Sequence, residues 1–130
     1  MKGLLVSVVD DDESVRESLP DLLREFGYAA QAFSSAEEFL SSDSVGQTKC
    51  LILDIAMPGM TGPQLQRELV QRQQMIPIVF ITAHNDGSVR PNVLKQGASE
   101  CLFKPFTDTA LFAALQEALT GNYATRGVEK

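Results

Sequence analysis

The stretch LLVSVVDDDESV, residues 4–15, sets three consecutive aspartates, Asp10, Asp11 and Asp12, directly after an apolar run. The run has the length and content of a buried strand. Three adjacent carboxylates repel one another, so a strand that ends on them needs a cation or protons to satisfy the charge. Two further runs, CLILDI (50–55) and IPIVFIT (76–82), are continuously apolar in the same way. Unbroken apolar runs of this kind belong to parallel strands covered on both faces.

Amphipathic stretches lie between these runs. Residues 14–26 carry Val15, Leu19, Leu22, Leu23 and Phe26 at helical spacing, and Gly27 closes the helix. Pro20 inside it predicts a kink or a later start. Residues 28–33 read as a second, shorter strand, after which Ser34 and Ser35 cap a short helix through Leu40. Residues 41–48 are polar loop, and MPGMTG (57–62) is turn chemistry. Residues 63–73 are helical, with Pro63 near the first turn. A helix over 89–96 is closed by Gly97, and Pro91 restricts its start, so that its first turn lies near Arg90 or is irregular. Residues 100–103 form a fifth strand and 107–119 a last helix. Residues 1–120 are expected to be one domain, with 121–130 a tail or the start of a linker.

Five strands alternating with five helices imply one parallel sheet with right-handed crossovers, an open doubly wound α/β fold. Ligands of such sheets bind beyond the carboxyl ends of the strands, where strand order reverses.

The totals narrow the function. The chain has 130 residues and 44% hydrophobic content, enough for a single core. No apolar run is long enough to span a membrane, and the N-terminal run ends in acids without a small-residue cleavage site, unlike a signal peptide. Cys50 and Cys101 sit in apolar segments and read as reduced core residues of a cytoplasmic protein. A net charge of −6 argues against direct nucleic-acid binding by this chain.

The strand ends collect the chemistry. The first strand delivers Asp10, Asp11 and Asp12, the third Asp54, the fourth Thr82 followed by Ala83 and His84, and the fifth Lys104. Clustered carboxylates offer hard oxygen ligands suited to Mg²⁺. A carboxylate nucleophile, a cation, a lysine and a hydroxyl together suit phosphoryl transfer.

These motifs resemble the receiver domains of two-component response regulators over residues 2–119. VVDDD is similar to the family's acidic pair, at Asp10 and Asp11. LILDIAMPGMTG is similar to its phosphoacceptor strand and loop, FITAH to its switch-hydroxyl segment, and FKPF to its lysine segment, whose Lys-Pro bond is usually cis. The resemblance implies a flavodoxin-like sheet of order 2-1-3-4-5 and a phosphoryl group taken from a histidine kinase onto Asp54. It implies Mg²⁺ held by Asp11, Asp54 and the Ala56 carbonyl, with Asp10 acting through water. Lys104, Ala83 and Ala56 would contact the phosphoryl group, Thr82 would be the switch hydroxyl, and His84 and Ala56 would tune hydrolysis. The implied output surface is the fourth helix, fifth strand and fifth helix, with phosphorylation-dependent homodimerisation. Loop details most resemble receivers that precede LuxR-type helix-turn-helix domains.

Plainer readings stand beside these. Asp12 is expected to cap the first helix, His84 to be an exposed loop residue, and Met57 and Met60 to pack their loop. Leu111, Phe112, Leu115 and Leu119 are expected to make mostly core contacts. Cys101 holds the position of the family's usual switch aromatic, so coupling through Phe103 or Phe106 is expected instead. Two rival functions remain. One is a degenerate receiver that binds partners without phosphorylation. The other is a haloacid-dehalogenase-type phosphatase that uses the D-x-D of Asp10 and Asp12 and gives Asp54 no role.

Overall fold

Residues 3–83 and 87–120 are described by the computed structural model of the chain. Their elements run β1 (Leu5–Val9), α1 (Glu13–Glu25), β2 (Ala29–Phe33), α2 (Ala36–Leu40), a 3-10 turn (Val45–Gln47), β3 (Thr48–Asp54), α3 (Gly62–Gln71), β4 (Ile78–Thr82), α4 (Val89–Lys95), β5 (Glu100–Phe103) and α5 (Asp108–Thr120). The strands form one parallel sheet of order β2-β1-β3-β4-β5. This is the expected doubly wound α/β architecture. Strand order reverses at the β1–β3 pair.

Strand alternation divides the core into two layers. Cys50 and Ile52 of β3 and Val79 and Ile81 of β4 face α1 and α5, against Leu19, Leu23, Leu111 and Leu115. Leu51, Leu53, Ile78 and Phe80 face the other way, against Phe39, Leu65, Leu69 and Val93. The one hydroxyl within β1, Ser7, is fully buried and bonds the Thr48 hydroxyl at 2.7 Å, so β3 begins two residues before its apolar run. Residues 76 and 77, expected to extend β4, precede it.

The later start suggested by Pro20 needs correction, whereas the first turn of α4 does lie near Arg90, as Pro91 led one to expect. α1 is continuous through Pro20 and starts at Glu13, not later. The missing N–H forfeits one helical bond, a net loss of about 1 kcal/mol. Burial of Leu19 and Leu23 on either side contributes about 1.5–3 kcal/mol each, so packing prevails. Pro91 is the third residue of α4, among the N–H positions that lack an intrahelical partner anyway, so it costs the helix little.

α3 is anchored by a capping box that the sequence reading passed over. Thr61 Oγ1 accepts from the Gln64 N–H at 3.3 Å, and Gln64 Oε1 accepts from the Thr61 N–H at 2.9 Å. Its first residue, Gly62, lies against the end of β3. A Cβ there would stand 2.4 Å from the Asp54 carbonyl oxygen and 2.9 Å from a Phe80 ring carbon. Backbone cannot rotate aside, so Gly62→Ala is expected to lower unfolding free energy by about 1–3 kcal/mol, read from urea denaturation. Unchanged stability would show that the loop yields freely.

Candidate functional site

Register determines what meets at the carboxyl edge. Val9 pairs with Phe33 on one side and Leu53 on the other, so Asp10 and Asp54 leave neighbouring strands together. Thr82 pairs with Phe103, and the next residue, Lys104, donates its N–H to the Thr82 carbonyl at 2.8 Å. Five of the residues singled out in the sequence therefore come to one edge: Asp10, Asp11, Asp54, Thr82 and Lys104. One carboxylate oxygen from each of Asp10, Asp11 and Asp54 lies within 4.8 Å of the others.

Their surroundings differ sharply. Asp10 is fully buried. Its Oδ1 accepts from the Asp12 N–H at 2.9 Å and its Oδ2 from Lys104 Nζ at 3.0 Å. Its carbonyl accepts from Arg16 Nη1 at 3.1 Å, and its own N–H bonds the Phe33 carbonyl. Asp11 is exposed. Asp54 is 6% exposed and stands 3.8 Å from Lys104 Nζ. Asp12 turns away and caps α1, accepting from the Ser14 N–H at 3.0 Å and the Ser14 hydroxyl at 2.8 Å. Those bonds hold its carboxyl below the usual carboxylate range.

Charge follows from this packing. Burial, then the Asp10 charge, push the Asp54 carboxyl up to about 7, against the opposing pull of Lys104. Burial also works against the Lys104 charge, but the hydrogen bond to Asp10 and the Asp54 and Asp10 charges outweigh it and raise the ammonium pKa. Without a divalent ion, one lysine faces three carboxylates. The donor set is all hard oxygen. Octahedral Mg²⁺ at about 2.1 Å sets neighbouring ligand oxygens about 3 Å apart, so oxygens within 4.8 Å of one another need to draw together by no more than about 2 Å. These residues fit a small hard dication.

Thr82 is buried and Ala83 and Ala56 are exposed. His84 and the segment 121–130 lie outside the described residues. The Lys104–Pro105 bond is cis. Met57 is buried in the core and Met60 packs against it, as expected of loop packing. Cys50 and Cys101 are both free, and burial raises their thiols to about 12 and about 11. Cys101 points into the layer that holds Val93 and Ala98. Phe106 packs on the opposite layer.

Three contributors were not foreseen. Arg16 fastens α1 to the Asp10 carbonyl. Glu37 of α2 accepts from the Met60 N–H in the loop after Asp54, at 3.0 Å. Arg90 of α4 donates from Nε to the Cys101 carbonyl at 3.2 Å and pairs with Glu100 at 2.6 Å. Each is a contact from a side chain to a remote or off-register backbone, which residue spacing does not encode.

Comparison with known proteins followed the same lines. A family model described as "Response regulator receiver domain" matches residues 6–116. Nodulation protein W of Bradyrhizobium diazoefficiens is 43% identical over 114 residues, covering 88% of this chain and 50% of the relative. The transcriptional regulatory protein FixJ of Azorhizobium caulinodans is 37% identical over 126 residues, covering 97% of this chain and 59% of the relative. The solved structure of the response regulator StyR is 45% identical with a TM-score of 0.84, covering 96% of this chain and 63% of that one. The chain spans about half the length of the curated relatives it matches.

The raised Asp54 carboxyl has a consequence for stability. Between pH 3.8 and about 7 the folded chain keeps a proton that the unfolded chain has released, so stability falls as pH rises across that window. In EDTA, Asp54→Asn should melt at least about 3 °C above the native protein at pH 8, with the gain shrinking toward pH 5. Calorimetry showing equal midpoints at pH 8 would contradict this charge balance.

Proposed function

The chain belongs to the response regulator receiver domain family of two-component systems, and from that premise we propose that it takes a phosphoryl group from a histidine kinase onto Asp54, with Mg²⁺ as cofactor. The observation that carries this reading is the convergence of Asp10, Asp11 and Asp54 beside Lys104 at the carboxyl edge, where strand order reverses.

A carboxylate oxygen of Asp54 attacks phosphorus and the bond from phosphorus to the donor's imidazole nitrogen breaks. The electron pair leaves with the imidazole, which takes a proton from solvent, and an acyl phosphate remains on Asp54. Asp11, Asp54 and the Ala56 carbonyl would hold the Mg²⁺, with Asp10 acting through water. When bound, the ion offsets the crowded negative charge of the carboxylates and the incoming phosphoryl oxygens. Lys104 already spans Asp10 and Asp54, so its ammonium is within reach of a phosphoryl group on Asp54. The Thr82 hydroxyl and the Ala83 N–H are the proposed partners of another phosphoryl oxygen. His84 and Ala56 are the proposed rate-tuning pair.

The rival functions have less support. Both Asp10 oxygens are engaged and the residue is fully buried, which suits a supporting acid better than a nucleophile. Asp12 is spent on the helix cap. A degenerate receiver would be expected to lack an acid, the threonine or the lysine, and this chain keeps all of them.

The output reading is that phosphorylation alters the surface of α4, β5 and α5, driving homodimerisation or controlling a LuxR-type helix-turn-helix output domain in a longer protein. The similarity to a transcriptional regulatory protein of greater length supports it. A cytoplasmic setting goes with this reading and with two free, buried cysteines. Among the described residues no helix is long and apolar enough to cross a membrane.

Intact mass after incubation with Mg²⁺ and acetyl phosphate is expected to rise by one phosphoryl group in the native protein and not in Asp54→Asn. No gain in native protein favours the degenerate receiver; a gain that survives in Asp54→Asn but is lost on changing Asp10 favours the phosphatase. In the same experiment His84→Ala should change the decay of the phosphorylated species, and equal lifetimes would remove His84 from the proposal. Sedimentation with beryllofluoride and Mg²⁺ should show a monomer-to-dimer shift; an unchanged monomer counts against phosphorylation-driven dimerisation.

A further inference from the structure

The loop between Asp54 and α3 is held from outside by Glu37. Its ends are tied within the fold: the Ile55 N–H bonds the Ile81 carbonyl at 3.2 Å and the Gly62 N–H bonds the Ile55 carbonyl at 3.0 Å. The Thr61–Gln64 pair belongs to the start of α3. Between these ties, Glu37 Oε2 accepts from the Met60 N–H at 3.0 Å. It is a side chain from another element, 23 residues earlier in the chain, that hydrogen-bonds this loop.

Gly59 shows how close the contact is. It has φ +74°, and a Cβ on it would lie 2.9 Å from the same Glu37 oxygen. A side chain there would be strained by the backbone and would displace the carboxylate. The glycine turn and the glutamate thus fit one another, although 22 residues separate them in sequence.

Ala56 is in this loop, two residues beyond Asp54. A carbonyl oxygen cannot be aimed by a rotamer change, since its place is that of the backbone itself. We propose that Glu37 is a positioning residue for the divalent cation: by holding the Gly59–Met60 turn against α2, it sets where the Ala56 carbonyl stands relative to Asp11 and Asp54. This rests on the Mg²⁺-dependent reading of the site. Glu37 does not touch the ion in this account, and its charge is not what matters.

The test is calorimetric titration of Mg²⁺ alone into native protein, Glu37→Gln, Glu37→Ala and Asp11→Asn, with amide hydrogen exchange at Met60 measured on the same samples. Glutamine keeps an acceptor oxygen for the Met60 N–H and drops the charge; alanine drops both. Glu37→Ala should bind Mg²⁺ at least about five-fold more weakly, toward the range typical of residues that orient metal ligands, and a smaller change overturns the proposal. Glu37→Gln should bind nearer to native than to Glu37→Ala, and Met60 exchange should quicken in Glu37→Ala alone. Equal weakening in both variants overturns the proposal, because the effect would then be one of charge. Should Glu37→Ala fail to fold, Gly59→Ala displaces the same carboxylate from the other side; native Mg²⁺ affinity in that variant overturns the proposal. Native protein that binds Mg²⁺ no better than Asp11→Asn overturns the cation reading itself, and this inference falls with it.

Discussion

Asp10 and Asp54 leave adjacent strands side by side with like charge, and neither can retreat, because β1 and β3 are paired residue by residue through Val9 and Leu53. Two such charges about 4 Å apart repel by about 4 kcal/mol at an effective dielectric near 20. Packing on both faces of the sheet enforces the juxtaposition, since β1 and the central strand β3 each contribute to both hydrophobic layers. Lys104 offsets part of the repulsion, and burial together with what remains of it raises the Asp54 carboxyl to about 7. The site is thus tense by construction. Whatever cation or proton relieves it gains affinity from energy already stored by the fold.

What was legible in the sequence is what depends on periodicity and on chain ends. The alternation of Leu51 and Leu53 against Cys50 and Ile52 is written in an apolar run that could only be covered on both sides. Strand ends followed, and with them the meeting of Asp10, Asp54, Thr82 and Lys104. Effects that weigh one interaction against another were not legible. Pro20 argued for a kinked or later-starting helix, yet α1 starts at Glu13 and burial of Leu19 and Leu23 outweighs one lost hydrogen bond. Arg16, Glu37 and Arg90 escaped because each reaches a backbone group whose location only the folded chain defines.

The position usually held by an aromatic shows how the same sheet tolerates a different link to its flank. Cys101 is small and buried, so it leaves no ring to swing between β5 and α4. In this chain α4 is joined to β5 instead by Arg90, which bonds the Cys101 carbonyl and pairs with Glu100. A contact to backbone follows the strand itself, so movement of β5 relative to α4 would be felt at Arg90 whatever side chain stood at position 101. Phe106, expected as an alternative route, packs on the opposite layer against α1 and α5.

Three consecutive aspartates looked like one feature and prove to be three. Asp10 is buried with both oxygens and its carbonyl engaged, and so behaves as part of the scaffold. Asp11, next in the chain, is exposed and meets the Asp54 carboxyl through its side chain, so its carboxylate is the one that faces both the site and solvent. Asp12 caps α1. The division follows from the geometry of leaving a strand to start a helix. The last buried position points inward, the turn residue points out over the strand ends, and the residue before the helix faces its unpaired N–H groups. Repulsion between neighbours is lessened because each carboxylate is directed at a different partner: a lysine and a backbone N–H, the Asp54 carboxyl, and a helix terminus.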